Sequence, residues 1–152
     1  MRVALDTNIL AYLAGVSRSV EDDSKVDRVR DIVEQLARST TLLAPAQTLG
    51  ELFVVLRRGG VSPEQARDIV LRYAEAFAPS PSEGPTVVAA LDLVVDHKFQ
   101  FWDALIVTSA VDAGCSMLLS EDMQDGFVVR GLTITNPLAV TPHAKLAALL
   151  KG

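Results

Sequence analysis

Four carboxylates stand out because each follows or interrupts an apolar run instead of lying on a polar face. Asp6 lies in LDTN, Glu51 in GELF, Asp103 in FWDALI and Asp122 in LLSED. Two carboxylates about 5 Å apart repel each other by roughly 3 kcal/mol at an effective dielectric near 20. A fold that gathers such groups therefore needs a cation or raised pKa values. These residue types predict an oxygen-ligand metal site for Mg²⁺ or Mn²⁺.

The composition indicates one ordinary globular domain. The chain has 152 residues, of which 49% are hydrophobic and 22% are charged, and this suffices for a single core. Its apolar runs are far shorter than the roughly 20 residues that cross a bilayer, so we expect no membrane association. The single Cys115 excludes an internal disulfide and favours a reducing cytoplasm. A net charge of −5 argues against a protein that coats nucleic acid, although it does not exclude a nuclease.

Apolar runs alternate with helical patterns, and this predicts a sheet covered by helices on both faces. Strands are expected at 2–5, 41–44, around 76–80, 115–119 and, once or twice, in 127–134. Helices are expected at 8–14, from Val26, from Pro45, at 63–77, 86–97 and 101–113, with Ser17 to Ser24 as a surface loop. The fold class is a three-layer α/β/α, Rossmann-like domain with a central, mainly parallel sheet of about five strands. We place this domain at 1–140, with 141–152 as a tail of the same domain that forms a short helix.

The ends of the strands explain how distant acids could meet. In open sheets of this kind, sites form outside the carboxyl ends of the strands. Asp6 follows the first strand directly, and Asp122 follows the fourth closely. Asp103 falls in the first turn of its helix, where the positive end of the helix dipole favours an anion. Glu51 lies roughly 10 Å along its helix, so its side chain must reach back toward the others.

The motifs around these acids resemble those of PIN domains, and in particular the toxin ribonucleases of bacterial VapBC toxin–antitoxin pairs. The matching stretches are LDTN at 5–8, LGELF around Glu51, FWDALIVTSA around Asp103, LLSEDMQDG at 118–126 and ITNPL at 134–138. They come in the family's order and cover residues 2–138. The resemblance implies a PIN-like fold and metal-dependent hydrolysis of RNA phosphodiester bonds.

The resemblance also implies the site and the partners. Its catalytic and metal-binding residues would be Asp6, Glu51, Asp103 and Asp122. They would hold either one or two Mg²⁺ ions, and Mn²⁺ could take the place of Mg²⁺. Asn8 and Ser120 would orient these carboxylates or a bound water, and whether Glu121 or Asp125 joins them stays open. A VapB-like antitoxin would cover the site in the cytoplasm, and the chain would form a homodimer. The apolar residues of the helix at 63–77 could face either that second copy or the core.

Two other functions were weighed. A catalytically silent PIN-type module would bind RNA or a protein, but it requires the loss of one or more acids, and all four are present. A haloacid-dehalogenase or receiver fold also begins with a strand that ends in Asp. The dehalogenase type needs a second Asp at the position of Asn8, whose amide cannot donate a proton in the same way. Trp102 is interpreted as packing at the core or rim, and Arg57 with Arg58 as a favourable pair at a helix C-terminus.

Overall fold

The computed structural model describes residues 1–17 and 19–152 and shows the predicted three-layer α/β/α architecture. The strands are β1 (Arg2–Leu5), β2 (Thr41–Pro45), β3 (Ala78–Ser80), β4 (Met117–Leu119), β5 (Val128–Val129) and β6 (Leu132–Thr135). The helices are α1 (Thr7–Leu13), α2 (Val20–Ala37), α3 (Ala46–Arg58), α4 (Pro63–Ala76), α5 (Gly84–His97), α6 (Phe101–Asp112) and α7 (Ala144–Lys151).

The order of the strands creates a crevice at the carboxyl edge of the sheet. The order is β3-β2-β1-β4-β6-β5, and every pairing except that of β5 with β6 is parallel. The chain moves outward from β1 through β2 to β3, and it then places β4 on the other side of β1. The connections after β1 and β4 therefore lead in opposite directions, and ligand sites of open sheets form at such a point.

The sheet has six strands where the sequence predicts about five. The additional strand is β5, which pairs with β6 as a tight antiparallel hairpin. The two residues between them, Arg130 and Gly131, have φ angles of 48° and 83°. A two-residue hairpin loop with positive φ at both positions matches the right-handed twist of its strands. The sequence left open whether 127–134 holds one strand or two, and because β5 is only 2 residues long, its alternation is too short to decide.

The core lies on both faces of the sheet because successive strand side chains point to opposite sides. In β1, Val3 and Leu5 pack with α1, α2, α3 and α7, whereas Ala4 packs with α5 and α6. The same alternation continues in β4, where Leu118 faces α5 and α6 and its two neighbours face the other layer. The strands are thus fixed from both sides, and so are the residues that follow them.

Helix α2 begins earlier than the sequence predicts. Residues 17–24 are expected to form a surface loop, of which Arg18 lies outside the described residues. From Val20 onward the stretch is helical, because the Ser19 side chain accepts a hydrogen bond from the Asp22 amide and caps the helix. Three acids in the first turn interact favourably with the positive end of the helix dipole. Because the cap and these acids are all polar, the start of the helix has the composition of a surface loop. No helix among the described residues is long and apolar enough to cross a bilayer.

Candidate active site

Asp6 is the most constrained of the four carboxylates. It caps α1 directly after β1, and the amide N–H of Thr7 donates to its Oδ1 over 2.7 Å. The hydroxyl of Ser120, just past β4, donates to Oδ2 over 2.7 Å and accepts from the Met123 amide. Asp6 is only 5% exposed. Its carboxylate is therefore held rigidly between the ends of the two strands that flank the crevice.

Glu51 is oriented by two neutral donors. It lies in the second turn of α3 and is half-buried. The Thr7 hydroxyl donates to Oε2 over 2.5 Å, and the Gln47 side-chain amide donates to Oε1 over 2.8 Å. The contact with Thr7 shows that the side chain does reach back to the end of β1. Neither Thr7 nor Gln47 is among the site residues predicted from the sequence, although the spacing of four between Gln47 and Glu51 places both on one helix face.

Asp103 and Asp122 complete the group from the other side. Asp103 lies in the first turn of α6 and is half-buried, and within 1–17 and 19–152 no protein group donates a hydrogen bond to its carboxylate. Asp122 is exposed, and the Asn8 side-chain amide donates to its Oδ2. Asn8 and Ser120 thus contact carboxylates of the group, as expected. Their importance for catalysis stays a prediction.

The pKa values show that the carboxylates are close enough to influence one another. Burial raises the pKa of Asp6 to about 6, and the charges of Asp103 and Glu51 add to the effect while two hydrogen bonds oppose it. Burial also raises the pKa of Asp103, followed by the charges of Glu51 and Asp122. Asp103 is therefore within electrostatic range of the other three. A bound cation would relieve this repulsion.

Glu121 and Asp125 point away from this group and have partners of their own. Lys25 donates to Oε1 of Glu121 over 2.7 Å, and the Tyr12 hydroxyl donates to Oε2 over 2.6 Å. Oδ1 of Asp125 accepts from the Asn136 backbone N–H over 2.8 Å. Of these acids after β4, Asp122 lines the crevice, whereas Glu121 and Asp125 bind groups elsewhere.

One cleft of about 430 Å³ is lined by all four acids. Trp102, whose side chain is 57% exposed, and Arg58 form part of its rim. The interpretation of Trp102 as a packing residue holds only in part, since the ring contacts Phe101 edge-on at 5.0 Å but more than half of the residue is exposed. Arg57 instead donates to the Val61 carbonyl. The cleft therefore combines carboxylates with one cation and one aromatic surface.

The donor chemistry of the cleft fits a hard divalent cation. Its oxygen donors are carboxylates, which suit Mg²⁺ or Mn²⁺ better than softer metals. As the side chains stand, no three His, Cys, Asp or Glu groups among the described residues are close enough to hold an ion together. Glu51 and Asp122 are turned toward Thr7, Gln47 and Asn8, so these two side chains would have to reorient to share an ion with Asp6. The carboxylate of Asp103 accepts no hydrogen bond from the described residues.

Comparison with known proteins identifies the fold family. A model of the PIN domain matches residues 3–124 of this chain. This chain belongs to the PIN domain family. None of the curated proteins matches the PIN-domain chain in sequence. The family match ends at 124, so β5, β6 and α7 lie beyond the matched region.

Solved structures of similar fold include several toxins and toxin–antitoxin complexes. VapBC2 from Rickettsia felis, bound to a DNA fragment from its promoter, shares 17% identity and a TM-score of 0.68, covering 90% of this chain and 98% of that one. VapC20 from Mycobacterium tuberculosis, a Sarcin-Ricin loop cleaving toxin, shares 18% identity and a TM-score of 0.59, covering 79% and 91%. VapBC-1 from nontypeable Haemophilus influenzae shares 17% identity and a TM-score of 0.63, covering 91% and 100%. At these identities the likeness shows the fold.

Proposed function

We propose that this PIN-domain protein is a metal-dependent endoribonuclease that acts as the toxin of a type II toxin–antitoxin pair. The observation that carries the proposal is the convergence of Asp6, Glu51, Asp103 and Asp122 on one cleft at the carboxyl edge of the sheet. The likeness to VapC20, a Sarcin-Ricin loop cleaving toxin, supports a nuclease, and the likeness to VapBC complexes supports an antitoxin partner.

The four carboxylates would hold Mg²⁺, or Mn²⁺ in its place. When bound, the ion supplies positive charge to a phosphoryl oxygen and makes water a better nucleophile. Asp6 offers a rigid ligand because Thr7 and Ser120 fix both of its oxygens. Thr7 also aligns Glu51, so one residue couples the orientations of two carboxylates. Glu51 and Asp122 act as further ligands or position the attacking water.

The protein works, we infer, as a cytoplasmic homodimer. The helix at 63–77 no longer offers the best dimer face, since Ile69, Val70, Tyr73 and Phe77 pack against the core. An exposed apolar stripe on α5 takes its place, consisting of Val88, Leu91 and Val95, which are 60%, 51% and 80% exposed. Their spacing of three and four puts them on one face of the helix. A second copy would bury this stripe.

The nuclease proposal is tested by RNA cleavage with purified protein. The wild type should cleave RNA in the presence of Mg²⁺ and should stop when EDTA is added. Asp103→Asn should abolish cleavage, whereas Asp125→Asn, the same change in an acid outside the cleft, should leave it intact. Cleavage that survives in Asp103→Asn would contradict the proposed site. The absence of wild-type cleavage on total cellular RNA would favour a silent binding module instead.

A further inference from the structure

A second cleft, of about 210 Å³, adjoins the carboxylate cleft, and Asp103 lines both. The second cleft lies at the junction of α5 and α6, and its walls include His97, Lys98 and Gln124. One cationic side chain, that of Lys98, therefore lines a cleft together with Asp103. Because a phosphodiester strand carries a negative charge at every nucleotide, the position of cations around an acidic site decides where the strand can run.

The backbone at this junction is well defined. Lys98 ends α5 in the left-handed conformation, with φ 58° and ψ 30°, and its N–H donates to the Val94 carbonyl. The ring of His97 packs edge-on against Phe127 at 5.1 Å, and Phe99 packs against the same ring at 5.4 Å. These contacts fix the segment between α5 and Asp103. The Lys98 side chain is exposed at its surface.

Arg58 is a second cation near Asp103, and it lines the carboxylate cleft itself. It is the last residue of α3, two helical turns or about 10 Å beyond Glu51, and it lines the carboxylate cleft together with Trp102. In the part of the chain that the structure describes, neither Arg58 nor Lys98 takes part in an ion pair. Lys25, by contrast, is paired with Glu121. The charges of Arg58 and Lys98 are therefore free to meet a ligand.

We propose that Arg58 and Lys98 form a two-sided phosphate clamp that leads a single strand of RNA across Asp103. This inference rests on the proposed nuclease function and adds the path of its substrate. The chain carries a net charge of −5 and gathers four acids in the cleft, so the phosphates on either side of the cleaved bond need local cations. The exposed ring of Trp102, which lines the same cleft as Arg58, offers a stacking surface for a base.

The clamp is tested by the binding of a fluorescein-labelled, unstructured 12-nucleotide RNA, followed by anisotropy at several KCl concentrations with Mg²⁺ present. All variants are made in an Asp6→Asn background so that the RNA stays intact. Arg58→Gln and Lys98→Asn remove one charge each, and asparagine tolerates the left-handed backbone at 98. Arg38→Gln and Lys151→Gln remove the same charges far from the cleft. Lys98→Arg keeps the charge, and thermal melts check folding.

Each clamp variant should bind the RNA more weakly than the background protein. The plot of log affinity against log salt should also become less steep by about 0.7, the value for one phosphate contact to a single strand. Lys98→Arg and the two distant variants should bind like the background protein. Equal effects of clamp and distant variants, or no measurable RNA binding, would overturn the clamp. Poly-glutamate at the same charge concentration should not displace the RNA. If it does, the clamp is overturned, and Arg58 and Lys98 are better interpreted as binding an acidic protein. If the wild type cleaves RNA and Asp103→Asn does not, the nuclease proposal survives any of these results.

Discussion

Replacement of Asp6 by asparagine removes a buried charge and keeps the shape of the side chain. Burial raises the pKa of Asp6 from 3.8 to about 6. At 1.36 kcal/mol per pKa unit, ionised Asp6 destabilises the metal-free folded protein by about 3 kcal/mol at neutral pH. The destabilisation reaches its full value above about pH 6, where Asp6 is ionised in both the folded and the unfolded protein. As the pH falls further, the folded protein binds a proton before the unfolded chain does, so stability rises until about pH 4.

Asparagine avoids this penalty but disturbs the hydrogen bond that Ser120 donates to Asp6, which costs about 1 kcal/mol. In EDTA at pH 7.5, Asp6→Asn should therefore be more stable than the wild type by about 2 kcal/mol. For a chain of this size the change corresponds to about 4–8 °C in Tm. The advantage should shrink as the pH is lowered and should vanish or reverse near pH 4.

The assay is urea unfolding followed by circular dichroism at pH 7.5, 6.0 and 4.5, all in EDTA. Comparison of the variant with the wild type cancels the titration of groups that do not interact with Asp6. Asp125→Asn serves as the matched control, since Asp125 is exposed and lies in the same loop as Asp122. A variant that is less stable than the wild type at pH 7.5, or a stability difference independent of pH, would refute the claim that Asp6 is a desolvated carboxylate.

Three further predictions follow from the same structure. Thr7→Val removes the hydroxyl that donates to Glu51, so single-turnover RNA cleavage should slow while Tm changes little; an unchanged rate would mean that Gln47 alone orients the acid. Leu91→Asp should convert a dimer to a monomer in light scattering, whereas Leu71→Asp, equally exposed on α4, should not, and the reverse pattern would move the dimer face to α4. Burial raises the pKa of Cys115 to about 11, so iodoacetamide at pH 8 should alkylate the folded protein far more slowly than the urea-unfolded one, and equal rates would contradict this.

Much of the fold was predictable because its strands are short apolar runs that end at turn residues. The positions of Asp6 and Asp122 at neighbouring strand ends followed from the same pattern, since carboxyl ends of parallel strands share one edge. The start of α2 was missed because its cap and first-turn acids have the composition of a loop. Whether residues 127–134 form one strand or two was left open, because β5 is too short to carry a clear periodic signal. Local sequence signals therefore predicted the strands and helices that position the site, and they failed where an element is very short or begins with polar residues.

The choice between Glu121 and Asp122 illustrates what sequence alone could not supply. Both are acids in the loop that follows β4, and although the resemblance points to Asp122, no local pattern shows where the Glu121 side chain goes. The structure shows that Lys25 of α2 and the Tyr12 hydroxyl of α1 bind the Glu121 carboxylate. Such partners lie about a hundred residues away and become visible only when the helices are packed on the sheet. Contacts of this kind belong to tertiary structure.

The central claim, that these carboxylates form one site for a divalent ion, is tested most directly by calorimetric titration of Mg²⁺ into metal-free protein. The wild type and Asp125→Asn should show the same saturable binding, and Asp103→Asn should lose it, because Asp103 is the acid without a competing donor. No saturable binding in the wild type, or undiminished binding in Asp103→Asn, would contradict the claim.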